Sequence, residues 1–220
     1  MGKSCGGAPG QPATVPTPYA AAMLSEVSTQ FFGYYPGTVA LVTAEHAGVR
    51  NVMAAGWHTA LSAQPPLYGV LIGRERATHP LVVGSGTFGI NFLPAAQARA
   101  VQGTGALSLH DRPPGEADKF ARLGLDTLPD APLAVAGAYL HYLCRVTQTV
   151  PTGDHDLFVG EVLEVRHDPE AYDRQRLFTG EAAVYLGRSS YVTTTQDRAQ
   201  FPPEDYRWPA AVGTPPRSGV

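Results

Sequence analysis

The sequence predicts a mainly β protein, an antiparallel β-barrel with short inserted helices. Runs rich in β-branched and aromatic residues recur along the chain, and turn residues bound them, as is typical of strands. Two pairs of these runs are separated by short turns and are interpreted as hairpins. The strands do not alternate regularly with helices, and no GxGxxG motif follows a strand. A doubly wound dinucleotide-binding fold is therefore not indicated.

Seven strands are predicted in chain order. The first follows the turn residues Pro36 and Gly37, and a short Glu-His-Ala-Gly turn joins it to the second. A Pro-Thr-Gly-Asp-His segment joins the two longest strands in the same way. The predicted strands are 38–44, 49–57, 66–73, 87–93, 138–150, 156–168 and 183–193.

Four short helices are predicted around and between these strands. Thr78 is the expected N-cap of the second helix, with Pro80 in the first turn, where its missing N–H costs little. A glycine at the end of the fourth is a typical helix stop. The predicted helices are 19–32, 78–85, 94–105 and 115–124.

The 220 residues suit one domain with flanking segments. We expect a loose Gly/Pro-rich leader at 1–18, the barrel domain at 19–196 and a Pro-rich tail at 197–220, with Tyr206 and Trp208 as its aromatic anchors. The net charge of -3 gives no reason to expect nucleic acid or an anionic membrane as partner. Two cysteines, no signal peptide and no long apolar run predict a cytoplasmic protein without a metal site or membrane span.

Residues 51–80 hold the first candidate site. Three small residues at 54–56 end a strand, and small side chains there let the backbone approach a flat ligand closely. The alternative is a bulge or barrel corner where nothing larger fits. The Trp-His-Thr triple at 57–59 adds polar donors at the next turn. Taken alone, the tryptophan is more often a core residue, the histidine is more often packed or solvent-facing than catalytic, and the threonine can equally cap a loop.

Two arginines, Arg74 and Arg76, follow a buried strand directly and precede the start of the helix at Thr78. Free N–H groups at a helix start, beside an arginine, are suited to a phosphate. The alternative is a solvated arginine pair at the end of a strand. No Walker A loop is present, so a nucleoside triphosphatase is not indicated.

A second candidate site is the turn before the strand 156–168. Asp154 precedes His155, and a carboxylate beside a histidine can fix its tautomer and raise its basicity. The alternative is an ordinary hairpin turn with a side-chain hydrogen bond from Asp154. A metal site formed by His155 with Asp154 or Asp156 would have too few further ligands.

The order and spacing of these motifs identify a family. The chain resembles the flavin reductase-like proteins, which are FMN-binding split barrels, from about Phe32 to Tyr191. The form AGWHTALSAQPP is most similar to the flavoredoxin-like branch. The segments that carry the resemblance are PGTVALVTA, RNVMAAGWHTALSAQPPL, the strand ending in Arg-x-x-x-Thr, SGTFGINFL, ADKFARLGL and GDHDLFVGEVLEV.

The resemblance implies an antiparallel split β-barrel of Greek-key type that forms a homodimer, with one FMN per subunit near the interface. It also implies a role for each matching residue. His155 would face the nicotinamide side of the flavin, and Asn91 and Tyr191 would lie near it. The phosphate would be held by Arg74, Ala77, Thr78 and His79. The ring and ribityl chain would be lined by Ala54, Ala55, Gly56, Trp57, His58 and Thr59.

The activity that the resemblance implies is that of an NAD(P)H:flavin oxidoreductase, with hydride passing from nicotinamide C4 to FMN N5. Such an enzyme could pass electrons to a separate monooxygenase or redox partner protein. Two alternatives stay open at this point. One is an FMN-binding electron carrier reduced by a partner protein, and the other is a non-catalytic split-barrel binding domain. The loop 102–119 has no assigned role.

Overall fold

The computed structural model describes residues 35–194. The predicted leader, the helix 19–32 and the tail with Tyr206 and Trp208 lie outside these residues. Within them, no helix is long and apolar enough to cross a membrane. The same residues contain no cluster of His, Cys, Asp or Glu side chains that could hold a metal ion.

Strands dominate the described residues, with three short α-helices inserted between them. The helices are α1 Thr78–Ser85, α2 Ala98–Ala106 and α3 Lys119–Leu123. The strands are β1 Gly37–Thr38, β2 Ala40–His46, β3 Val49–Ala55, β4 His58–Ala63, β5 Pro66–Gly73, β6 Thr87–Phe92, β7 Thr127–Leu128, β8 Ala131–Val135, β9 Leu140–Thr152, β10 His155–His167, β11 Ala183–Gly187 and β12 Ser190–Thr193.

The main sheet has seven antiparallel strands in the order β3-β2-β6-β9-β10-β5-β4, which confirms the predicted fold class. Its two edge strands, β3 and β4, are consecutive in the chain. Only Gly56 and Trp57 lie between them, so Ala55 and His58 are at most about 11 Å apart. That is little more than twice the spacing of paired strands. The sheet must therefore curl until its edges meet at this point.

The curled sheet leaves a seam beyond this meeting point. Strand β4 pairs with β5 only as far as Val70. After it, the Leu71 N–H donates to the Trp57 carbonyl at 3.0 Å, and the rest of β5 pairs with β10 alone. Along the edge that faces away from β2, β3 has no partner strand among residues 35–194. Strands β3 and β5 are in contact but do not pair, so beyond Val70 each presents an edge that no strand of residues 35–194 covers.

Two hydrophobic clusters hold the barrel and its helices. The interior cluster contains fully buried side chains from several strands, and α1 closes one end of it with Leu81 and Val82. The second cluster lies on the outer face of β2 and β3, where Leu41 and Val52 pack against Val101 of α2 and Phe120 of α3. Strands with alternating faces can contribute to both clusters at once. The second cluster fixes α2 and α3 beside the seam strand β3.

Several predicted boundaries were wrong. The strand predicted at 49–57 ends at Ala55, and the segment expected to be a turn is the start of β4. The strand predicted at 183–193 is a hairpin that turns at Arg188 and Ser189, both of which have positive φ. The helix predicted at 115–124 is shorter, since Asp118 caps it by accepting from the Ala121 N–H at 2.9 Å.

The helix start at Thr78 also differs from the prediction. Thr78 is the first helical residue of α1, and the N-cap position belongs to Ala77, which makes no side-chain cap. The Thr78 hydroxyl instead accepts a hydrogen bond from Asn51 Nδ2 at 2.9 Å. Pro80 lies in the first turn as predicted. The threonine therefore ties α1 to β3 and does not satisfy the helix end.

Candidate functional site

The six residues predicted to line a flat ligand surround one end of the seam. They end β3, form the link between the two edge strands and begin β4. A Cβ atom added to Gly56 would have no neighbouring heavy atom within 4 Å. Packing within the described residues therefore does not require glycine there, which argues against the tight-corner interpretation. The open space beside Gly56 is available to a ligand.

The side chains of Trp57 and His58 point to different surroundings. His58 lies in the barrel wall, with Nε2 3.2 Å from the Thr38 carbonyl and Nδ1 2.7 Å from the Tyr68 hydroxyl. A carbonyl can only accept, so Nε2 carries the hydrogen and the Tyr68 hydroxyl donates to Nδ1. Burial lowers the pKa of His58 and favours the neutral ring. This leaves mainly the backbone of His58 to contact a ligand.

Trp57 contacts His155, which is far away in sequence. The centroids of the two rings are 5.0 Å apart with their planes tilted by 53°. Trp57 is 40% exposed. Asp154 Oδ1 lies 2.7 Å from His155 Nδ1, which leaves the other ring nitrogen for a ligand. The same hydrogen bond lowers the pKa of Asp154. The structure thus brings together two residues that were predicted to lie beside the flavin ring.

The charged end of the seam, where β5 leads into α1, is a cluster around Asp156, the residue that follows His155 on β10. Arg74 donates through Nε and Nη2 to one carboxylate oxygen, at 3.0 and 2.7 Å. His79 Nε2 lies 2.8 Å from the other oxygen. Arg74, and secondly His79, lowers the pKa of Asp156 to about 2. The arginine side chain remains 49% exposed, so the cluster presents fixed N–H donors to an anion.

Asp156 has a positioning role that the sequence analysis missed. It was considered only as a metal ligand. The strand register reveals this role, because Asp156 pairs with Ile72 on β5, two residues before Arg74. A carboxylate in that position holds the arginine that follows the neighbouring strand. The pairing of β5 with β10 was needed to recognise it.

Asn51 is a second polar residue that the sequence analysis missed. Its side chain is buried against Thr78, and its Oδ1 accepts no hydrogen bond from residues 35–194. An unpaired buried acceptor costs about 1–3 kcal/mol. A water or a ligand hydroxyl would relieve this cost. The sequence does contain a signal for Asn51, because strand alternation places its polar amide on the same face as the apolar Met53 and Ala55.

Asn91 is fully buried, and its side chain is already occupied. Nδ2 donates to the carbonyls of Leu41 and Leu133 and to the Thr43 hydroxyl, each at 3.2 Å. Oδ1 accepts from the Val135 N–H at 2.8 Å, and His141 Nδ1 lies 2.9 Å away. A flavin contact would require one of these bonds to break. The geometry assigns Asn91 to joining β2, β6, β8 and β9.

Tyr191 and Ala77 complete the predicted set. The Tyr191 hydroxyl donates to Gln102 Oε1 at 3.0 Å, and its ring lies 5.1 Å from that of Tyr185. These contacts place Tyr191 against α2 and β11, and none of them joins it to the seam. Ala77 precedes the start of α1, within the charged end of the seam.

The loop 102–119, which had no predicted role, lies over the charged end. His110 Nε2 is 3.2 Å from the Glu75 carbonyl. Arg50 on β3 binds Asp118 at 2.6 Å and stacks over the Phe120 ring at 4.5 Å. These contacts hold Lys119 in place, only 7% exposed. Burial, and secondly the nearby charge of Arg76, lowers the pKa of Lys119 to about 8.

Taken together, the seam residues fit the flavin that the resemblance implies. The open space beside Gly56 leaves room for a ring, and β3 presents a strand edge without a partner strand among residues 35–194. Asn51 Oδ1 accepts no hydrogen bond from residues 35–194, and a ribityl hydroxyl could donate one to it. Arg74 and His79 provide donors for a phosphate at the charged end.

Comparisons with known proteins identify the family and the fold. Residues 32–194 match the family model of the flavin reductase like domain. The chain is 33% identical over 174 residues to the reductase component of a 4-nitrophenol 4-monooxygenase/4-nitrocatechol 2-monooxygenase from Rhodococcus opacus, covering 77% of this chain and 87% of that protein. It is also 33% identical over 140 residues to an NADH-dependent FAD reductase from Streptomyces globisporus, covering 63% and 74% of the two chains.

Among solved structures, the chain is similar to an FMN-binding protein from Thermus thermophilus. The TM-score is 0.69 at 28% identity, and the match covers 81% of this chain and 97% of that one. The family match and the barrel agree over nearly the whole described region. This chain belongs to the flavin reductase-like family.

Proposed function

We propose that this protein is an NAD(P)H-dependent flavin reductase that binds FMN along the seam between β3 and β5. The observation that carries the proposal is the set of groups that meet along the seam. Trp57 contacts His155, and the next residue of β10, Asp156, holds Arg74 and His79. A flavin has a flat ring and a phosphate that suit these two neighbouring sets of groups. The names of the relatives from Rhodococcus opacus and Streptomyces globisporus support the reductase activity.

The residues at the ring end would position the isoalloxazine. Gly56 leaves space for its plane, and the backbone of His58 and Thr59 would meet its edge. Ala54 and Ala55 pack their side chains in the two hydrophobic clusters and would offer only their backbone. When bound, FMN supplies the acceptor at N5 for hydride from nicotinamide C4. The protein needs no nucleophile for this chemistry. Its contribution is to hold the two rings in contact and exclude water.

His155 would orient the nicotinamide. Asp154 fixes the histidine through Nδ1, which leaves Nε2 to bond a polar group on the nucleotide. Trp57 packs against the same imidazole and limits its rotation. This arrangement predicts an effect on nucleotide binding that exceeds the effect on the hydride transfer itself.

The phosphate end would hold FMN through Arg74, Thr78 and His79, with the Ala77 backbone beside them. Asp156 keeps Arg74 and His79 in one orientation before FMN arrives, which lowers the cost of ordering them on binding. The amide of Asn51 would bond a ribityl hydroxyl.

We also infer a homodimer and a separate oxygenase partner. Half-exposed apolar side chains such as Leu163 and Val165 on β10 provide surface for a second subunit. The relative from Rhodococcus opacus is named as a reductase component, which supports electron delivery to a separate monooxygenase. Sedimentation of the FMN-loaded protein tests the dimer, because a monomer at micromolar concentration would contradict it.

The activity is tested with the full chain reconstituted with FMN under anaerobic conditions. Addition of NADH or NADPH should bleach the flavin absorption band, and the better nucleotide identifies the co-substrate. Free FMN at the same concentration is the control for uncatalysed reduction. A protein that retains FMN but is reduced by neither nucleotide is an electron carrier or binding domain, and the proposal of a reductase then fails.

A further inference from the structure

A cavity of about 310 Å³ lies beside the charged end of the seam, between the end of α2 and the start of α3. Sites for small organic ligands span about 300–1,000 Å³, so this cavity can take a nucleoside-sized group but not a whole dinucleotide. Apolar side chains and hydrogen-bonding groups line it together. They include Leu107, Leu109, Pro113, Ser108, Asp111 and Lys119.

Lys119 is the feature of this cavity that points to a ligand. Its side chain is buried, and no carboxylate of residues 35–194 forms an ion pair with its ammonium group. A largely desolvated cation without an ion-pair partner is costly, and an anion from outside would remove that cost. A phosphate group of a ligand is one such anion.

The cavity is tied to the phosphate end of the proposed flavin site. His110 contacts the Glu75 carbonyl, and Arg76 acts electrostatically on Lys119. One phosphate held at Arg74 and His79 would therefore have a second cationic position nearby. A ligand with two linked phosphates and a nucleoside beyond them matches this order of groups.

We propose that the cavity binds the adenylate half of FAD, with its phosphate paired to Lys119 and its adenine between the apolar side chains. This inference rests on the proposed function, since it extends the same flavin site. FAD is then the preferred flavin of this chain, and FMN occupies only the seam. Asp111 and Ser108 supply polar groups for the adenine amino group and the ribose.

The adenylate group occurs both in FAD and in NADH, so the experiment separates these sources. Dissociation constants of FMN and FAD are measured on the full-length protein by quenching of flavin fluorescence. AMP is the competitor. NADH binding is measured separately on protein saturated with FMN. The variants are Lys119→Met, which removes the charge, and Ala117→Trp, which fills the cavity from an exposed position. Arg174→Met is the charge-matched control at an exposed position outside the cavity lining.

We expect FAD to bind at least tenfold more tightly than FMN, and AMP to weaken FAD binding but not FMN binding. Both cavity variants should raise the dissociation constant of FAD about tenfold, leave that of FMN within twofold and leave NADH binding unchanged. The control should change none of them.

Four results would overturn the inference. Equal binding of FMN and FAD, unaffected by the variants, shows that the cavity holds no adenylate, while FMN binding leaves the proposed function intact. Loss of NADH binding alone assigns the cavity to the nicotinamide nucleotide. Equal loss of FMN and FAD in both variants assigns the cavity to the flavin mononucleotide itself. Failure of the wild-type protein to bind either flavin would contradict the proposed function as well.

Discussion

Lys119 is the residue whose surroundings are least expected from its chemistry. Burial lowers its pKa from 10.5 to about 8, so the folded protein holds this proton less tightly than the unfolded chain. Between these two values the unfolded state binds more protons, and the free energy of unfolding rises as the pH rises. Below pH 8 both states are protonated, and the folded state carries the full cost of the buried charge.

Replacing Lys119 with methionine should therefore stabilise the ligand-free protein at pH 7. The shift of the Lys119 pKa from 10.5 to about 8 corresponds to roughly 3 kcal/mol, because one pKa unit is worth about 1.4 kcal/mol. Urea unfolding at pH 7 and at pH 10 measures the effect. The gain should shrink at the higher pH, where the wild-type lysine is neutral. Arg174→Met is the control, and a Lys119→Met variant that is less stable at pH 7 would contradict the prediction.

His155 is expected to act on nucleotide binding. In the FMN-loaded protein, His155→Asn should raise the KM for NADH roughly tenfold and lower kcat less, because the ring positions the nicotinamide and transfers no proton. Asp154→Asn should shift KM in the same direction by a smaller factor, since it weakens the hydrogen bond that orients the histidine. Steady-state kinetics provide both values, and His167→Asn, an exposed histidine on β10, is the control. A fall in kcat with unchanged KM would assign His155 a role in the chemical step.

At the scale of elements, local patterns predicted the long strands but not the short edge strand β4. Its sequence HTALSA has small and polar residues with weak strand propensity, and most of it is exposed. What makes it a strand is pairing with β5, which a local pattern does not report. The consequence reaches the candidate site. Strand alternation separates the Trp57 and His58 side chains, which the sequence analysis placed together at a turn.

Asn91 shows the same limit of local sequence patterns for a buried residue. A polar residue in an apolar strand is as typical of a ligand contact as of a buried network, and only the approach of β8 distinguishes them. The position of β8 was not predicted, because β7 and β8 are short and lie in a segment that contains two prolines. The sequence therefore could not reveal the partners of Asn91, and its predicted place near the flavin stays a prediction.

Asn91→Ala should destabilise the fold without removing flavin binding. It leaves buried donors and acceptors on several strands without partners, at a cost of roughly 2–4 kcal/mol. Chemical denaturation measures this loss, with Gln148→Ala at an exposed position of β9 as the control. Fluorescence titration of the folded variant should give an FMN dissociation constant within threefold of the wild-type value. A tenfold weakening of FMN binding would instead indicate that Asn91 contacts the flavin, as the resemblance implies.

For the whole molecule, the sequence predicted the antiparallel barrel because hairpins and turn residues are local features. It could not predict the seam, which depends on where β4 stops pairing with β5 and on β3 being left as an edge. The candidate site residues, which stay a prediction, could be proposed from sequence because they lie at strand ends and turns, where composition changes abruptly.

The seam makes a prediction about the molecule as a whole. Unpaired strand edges open locally at low cost, so β3 and residues 71–79 should exchange their backbone hydrogens faster than the paired strands β6 and β9. FMN bound between the edges must be released before they open. At one hundred times its dissociation constant it adds about 2.7 kcal/mol to that opening, a slowing of roughly a hundredfold. Hydrogen exchange with mass spectrometry, with and without FMN, measures the protection peptide by peptide. Protection spread evenly over the barrel, or absent from β3, would place the flavin elsewhere.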